Sequence, residues 1–189
     1  MSRSARLLLL VVVLLATAAV SAKPRNVTDP EAPRSLSGES PVQVQWTDPS
    51  GFTDLKFSGN RWRAAQGSWV EQLAEHLRKS AEKRLPEGDR LEVTITDLNR
   101  AGRYEPWRGM HMQDVRFVRD HYPPSMALQF KRYGAGGELI AEGSREVRDT
   151  GFLTMGGGNP GSRDNLYYEK RMIDGWVRDE LRRSEVAAH

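Results

Sequence analysis

The sequence predicts an α+β domain, a two-layer sandwich in which a mixed or mainly antiparallel sheet of four to five strands is covered by two helices. Three observations carry this. Two separated segments alternate apolar and polar residues with the period of a half-buried strand. Two longer segments repeat apolar residues with the period of a helix. Residues 126–147 read as two strands joined by a glycine turn. Two amphipathic helices need an apolar surface to cover, and one face of a sheet supplies it.

The elements follow in chain order. Residues 1–22 place Arg3 and Arg6 before the apolar run "LLLLVVVLLATAAV", and Val20 and Ala22 then suit a signal peptidase. The run is too short to span a bilayer comfortably, so it reads as a cleaved secretory signal. Residues 23–40, rich in Pro, Ser and charge, read as a disordered leader. The folded domain is expected over 41–184, with a disordered tail at 185–189.

Val42, Val44 and Trp46 alternate with Gln43 and Gln45 as the first strand. Ser68 and Glu71 have the spacing of a helix capping box. Behind them Val70, Leu73, Ala74, Leu77, Ala81 and Leu85 form one stripe, which Pro86 and Gly88 end. Leu91, Val93 and Ile95 mark a second strand, and "VRFV" a short one before Pro123 and Pro124. "MALQFKRY", "GAGG" and "ELIAEGSREV" give the hairpin. Leu166, Ile173, Trp176, Val177 and Leu181 share one face of the last helix, expected to start near Ser162 or Asp164.

Charge and composition narrow the functions. The chain of 189 residues carries a formal +3, but Arg3 and Arg6 belong to the predicted signal, which leaves 26 basic residues against 25 acidic ones. A near-neutral protein has no general attraction to nucleic acid. The absence of cysteine excludes disulfides, thiolate metal sites, a cysteine nucleophile and a lipid-modified N-terminal cysteine. The expected product is an exported periplasmic protein with no transmembrane anchor.

The segments "VQVQWTDPSGFTDL", "LEVTITDLNRAG", "VRDHYPPSMALQF" and "YYEKRMIDGW" occur in this order over residues 42–182. On these segments the chain resembles a bacterial family known as domain of unknown function 3016. The resemblance implies an envelope protein behind a signal peptide, and it supplies no catalytic residues. Where the family pattern has a second acidic residue and Leu-Ala-Gly after the position of Asp97, this chain has Asn99 and Arg100.

Four groups of residues offer chemistry. Gly156-x-Gly158-x-x-Gly161 has the spelling of a dinucleotide turn, but only one helix follows and no second strand carries an acid for the ribose. The loop reads as a connector, whose Gly161, Ser162 and Arg163 could meet an anion at the start of the last helix. Met110, His111 and Met112, with His121 nearby, offer soft ligands suited to copper(I), or else thioethers that fill gaps under a loop. Asp48, Asp54, Asp97, Asp120 and Asp149 flank strands, as turn formers or as the carboxylates of a hydrolase. Trp62 between Arg61 and Arg63, and Trp107 beside Arg108, either cap an open end of the core or anchor a partner. The leading expectation is a non-catalytic binding or envelope-assembly module without a cofactor, acting on an envelope protein or ligand. A copper-handling protein and a hydrolase are the alternatives.

Overall fold

A computed structural model describes residues 26–154 and 164–187. The predicted signal at 1–22, and the loop residues Gly156, Gly158, Gly161, Ser162 and Arg163, lie outside the described residues.

Alternation builds the sheet. Strands β1 (Val42–Trp46) and β2 (Arg90–Asn99) pair in parallel, with Val42 opposite Leu91 and Trp46 opposite Ile95. Strands β3 (Arg103–Tyr104) and β4 (Arg116–Phe117) form a separate antiparallel ribbon. Strands β5 (Ser125–Tyr133) and β6 (Leu139–Arg148) make the predicted hairpin, in which Gly137 supplies the positive φ that the turn requires. The main sheet runs β1-β2-β5-β6, parallel at its first pair and antiparallel at the other two. The fold is α+β, as the patterning predicts. The short "VRFV" strand exists, but it pairs with β3 rather than joining the main sheet.

One sheet face is apolar. Val42, Val44, Leu91, Val93, Ile95, Met126, Leu128 and Phe130 are all buried in a single core with the two long helices. Helices α1 (Thr53–Lys56) and α2 (Arg61–Ala65) are short; α3 (Trp69–Glu82) and α4 (Tyr167–Ala187) are long. Leu73, Ala74, Leu77 and Ala81 of α3, and Met172, Ile173, Trp176 and Val177 of α4, face that core. Each fully buried leucine or isoleucine contributes about 1.5–3 kcal/mol relative to an exposed one. Gln43, Gln45, Glu92, Lys131 and Glu142, from alternate positions, are exposed on the other face.

Three expectations are corrected. Residues 26–40 are not a free leader. Val27 is buried and its N–H bonds Ala65 O, while Leu36 N–H bonds Val44 O and Arg34 O accepts from Trp46 N–H. The outer edge of β1 offers unpaired backbone groups, and two apolar anchors suffice to lay a polar segment along it. The Ser68–Glu71 capping box does not form: Ser68 Oγ accepts instead from Gln72 Nε2 and caps no backbone N–H. The last helix starts at Tyr167 and runs through the expected tail to Ala187.

Candidate functional site

The loops that leave β1 and β2 meet at one end of the sheet. After β1, Asp48 accepts from Ser50 N–H and Ser50 Oγ, at 3.0 and 2.6 Å, and closes a tight turn over Pro49–Gly51. These bonds hold its carboxyl below the usual aspartate range. Asp97, beside an irregularity in β2, takes Thr53 N–H at 2.6 Å and Thr53 Oγ1 at 2.7 Å, so β2 fixes the first residue of α1.

Asp54 follows directly and turns inward, with no side-chain exposure. Its carboxylate accepts from Arg100 N–H, Arg100 Nε and Nη2, and Arg116 Nη2. Burial pushes its pKa up, but the Arg100 and Arg116 charges and hydrogen bonds outweigh this and hold it low. Arg100 also donates to Ala64 O at 2.8 Å and lies 4.2 Å over the Trp69 ring. Arg116 donates from Nε to Ala101 O and from Nη2 to Arg100 O, both at 2.8 Å.

From the opposite side, buried Glu169 of α4 accepts from Ala101 N–H at 2.6 Å. Burial raises its carboxyl above the ordinary glutamate value, and its Oε2 is enclosed without a hydrogen-bond partner. The segment 100–101 is thus held by an aspartate, an arginine and a glutamate from three other elements.

The β3–β4 ribbon continues outward from this anchor. Gly102 has φ +80°, and a Cβ there would sit 2.7 Å from Phe117 O, so only glycine fits. Glu105 is buried between Arg108 and Arg119 and accepts from Tyr122 Oη at 3.3 Å. Burial raises its pKa, yet the bonds from Arg108 and Arg119 win and the net shift is downward. Asn60 Nδ2 ties the ribbon's loop to α2 through Gln113 O and Asp114 Oδ1, each at 3.0 Å, and Arg63 reaches Asp114 Oδ2 at 2.8 Å.

This polar scaffold presents apolar side chains to solvent. Among the described residues, seven of the nine exposed large hydrophobic side chains are Phe57, Trp62, Trp107, Met110, Met112, Val115 and Val118, so they concentrate in two segments tied together by Asn60 and Arg63. Trp62 is 64% exposed and Trp107 69%; neither caps the core. Arg63 lies 5.0 Å over the Trp62 ring, whereas Arg108 turns away from Trp107 to Glu105 and the Phe117 ring. Among the described residues Arg61 reaches only Ser50 O, at 3.5 Å. Over residues 56–63 and 103–119 there are seven Lys and Arg against two acids, a formal +5 where the whole chain carries +3.

The remaining predicted site residues are placed as follows. Met110, His111 and Met112 form one exposed turn, with Met110 82% and Met112 45% exposed. His121 Nδ1 pairs with Asp120 Oδ1 at 2.9 Å, and its ring lies tilted against Tyr122, with centroids 4.1 Å apart. Among the described residues no group of three His, Asp or Glu is arranged to hold a metal. Asp149 holds Arg171 at 2.6 Å, while Asp97 holds Thr53; the two share no partner. Of the five aspartates expected to flank strands, Asp54 alone is bound by two arginines among the described residues.

Sequence reasoning missed Arg100, Arg116 and Glu169. Glu169 had a signal: it lies four residues before Ile173 and seven before Trp176, an acid on an apolar helical stripe. Arg100 and Arg116 had none, because their partner is 46 and 62 residues away in the chain.

Beside Asp54 the two loops leave a hollow of about 380 Å³, walled by Thr53, Phe57, Arg103, Arg116, His121, Tyr122 and Arg148 among others. A second hollow, about 420 Å³, lies beneath residues 32–37 and is walled by Leu36, Trp46 and Val70.

A family model described as protein of unknown function (DUF3016) matches residues 40–179. No curated protein matches the chain, and no solved structure does.

Proposed function

The chain belongs to the DUF3016 family, and we propose that it is an exported, non-catalytic binding module that engages an envelope partner through the end carrying Trp62 and Trp107. One observation carries the reading. Large apolar side chains that folding would ordinarily bury stand in solvent on segments held by the ion pairs Arg63–Asp114, Arg108–Glu105 and Arg119–Glu105. Contiguous exposed apolar residues mark interaction sites. Trp and Arg supply much of the anchoring energy where proteins meet.

Export rests on the charged and apolar pattern of residues 1–22. Among the described residues no helix is long and apolar enough to cross a membrane. A non-catalytic role draws support from the aspartates, which are committed to turns, helix starts and arginines.

Photo-crosslinking residues placed at 62 and at 107 in living cells test the proposal. Both positions are expected to capture the same partner; recovery of no recurring partner from either would sink it.

The exposed thioethers of Met110 and Met112 favour a second reading, a copper(I) site completed by His111. Titration with Cu(I) against a competing chelator decides this. Unchanged affinity in a Met110→Ala, His111→Ala, Met112→Ala variant ends it.

A further inference from the structure

The hollow beside Asp54 is chemically one-sided. Three guanidinium groups line it, from Arg103, Arg116 and Arg148, against the single carboxylate of Asp54. That carboxylate already accepts four hydrogen bonds from Arg100 and Arg116, so it offers little to the remaining charge.

Each guanidinium keeps donors in hand. Arg103 gives Nε and Nη2 to Phe57 O, which leaves Nη1. Arg116 gives Nε and Nη2 to Ala101 O, Arg100 O and Asp54, which again leaves Nη1. Arg148, at the end of β6, has no hydrogen-bond, ion-pair or ring partner for its side chain among the described residues. Guanidinium donors are always charged and match the planar oxygens of a carboxylate or the oxygens of a phosphate.

The walls suit a ligand of that kind. Phe57, Tyr104 and Pro123 border the same hollow, and apolar walls strengthen the field of the charges between them. A volume of about 380 Å³ lies toward the small end of ligand pockets, roughly 300–1,000 Å³. It admits a small molecule rather than only a lone ion. The scaffold is fixed before any ligand arrives, because Asp54, Asp97 and Glu169 lock the backbone on both sides.

We infer that this hollow is a binding site for a small molecule bearing an oxyanion, carboxylate or phosphate, gripped by Arg116 and Arg148 with its body against Phe57 and Pro123. The site is separate from the exposed tryptophans, and it stands whether or not they dock a partner.

Calorimetric titration of the protein with benzoate and with phenyl phosphate tests this, and the two arms tell a carboxylate source from a phosphate source. At least one probe is expected to saturate at one per chain. Arg148→Gln is expected to weaken it about tenfold, the loss of one charge-assisted contact. Arg148 is exposed and unpartnered, so its replacement leaves the unfolding midpoint in place. Ser58→Asp is an independent check. It keeps an acceptor for Asn60 N–H but sets a carboxylate in the wall, and it is expected to abolish binding. Lys131→Gln, on the open sheet face, is expected to change nothing. No saturation by either probe up to about 10 mM overturns the inference. So does equal affinity in Arg148→Gln, or equal weakening by Lys131→Gln, which would mark the binding as diffuse charge attraction.

Discussion

Asp54 receives three hydrogen bonds from Arg100, one from its backbone N–H at 3.0 Å and two from its guanidinium at 3.1 and 2.7 Å. The contact joins α1 to the residue that follows β2. Because Arg116 binds the same carboxylate, removing the charge strands two partly buried guanidiniums together. Asp54→Asn is therefore expected to destabilise the fold by about 3–5 kcal/mol, the range for breaking a buried ion pair from one side. Urea unfolding monitored by tryptophan fluorescence measures it. A loss below about 1 kcal/mol would mean that the network is no more than a surface pair.

The pH dependence of that contact has a definite sign. The folded pKa of Asp54 lies below its ordinary 3.8, so its contribution is present above that value and is lost as the pH falls through the lowered pKa.

Glu169 works the other way. Its folded pKa is raised above 4.5 by burial, so its protonated form is the one the fold prefers. That contribution is complete below 4.5 and is lost as the pH rises through the raised value. Glu169→Gln keeps an acceptor for Ala101 N–H and removes the charge. Thermal unfolding midpoints from pH 4 to pH 8 are expected to show a decline on this limb in the native protein and a flatter profile in the variant. Identical profiles would show that Glu169 does not titrate against the fold.

Much of the main sheet was legible because its signals are local. Val42-x-Val44-x-Trp46 and Leu91-x-Val93-x-Ile95 carry their period within five residues, and Gly137 marks the hairpin turn on its own. The anchor was not legible, because nothing near Asp54 in sequence distinguishes it from Asp48 or Asp97, which merely form a turn and start a helix. Its role is decided by Arg100 and Arg116, whose pattern resembles a loop and an alternating strand. Residues 26–40 misled for the opposite reason. Their composition is that of a disordered segment, yet the β1 edge supplies the missing backbone partners. For Trp62 and Trp107 the sequence left two readings open, since a core cap and an exposed anchor are spelled alike; their exposure removes the first.

The segment along β1 makes its own prediction. Removing residues 26–40 uncovers the backbone of Val44 and Trp46 and the side of Trp46 and Val70 that faces the 420 Å³ hollow. An unpaired edge strand with apolar neighbours templates association between copies. The shortened protein is expected to lose about 1–3 kcal/mol in urea unfolding and to sediment with a concentration-dependent mass. A monomeric protein of unchanged stability would show that the segment merely rests on the edge.

The last prediction separates the two kinds of tryptophan. Trp69 is buried against Arg100, with its Nε1 donating to Ala64 O at 2.9 Å, and Trp176 is buried edge-on to Phe130. Truncating either to alanine opens a cavity and is expected to cost about 3–5 kcal/mol. Trp62 and Trp107 have most of their surface in water, so Trp62→Ala with Trp107→Ala is expected to leave stability within about 0.5 kcal/mol. If that end is a docking face, the same double variant loses crosslinked partner in cells while its unfolding curve overlays the native one. That combination requires the rings to act between molecules rather than within one. A double variant that unfolds as readily as Trp69→Ala would return both rings to the core and leave the binding reading without its anchor.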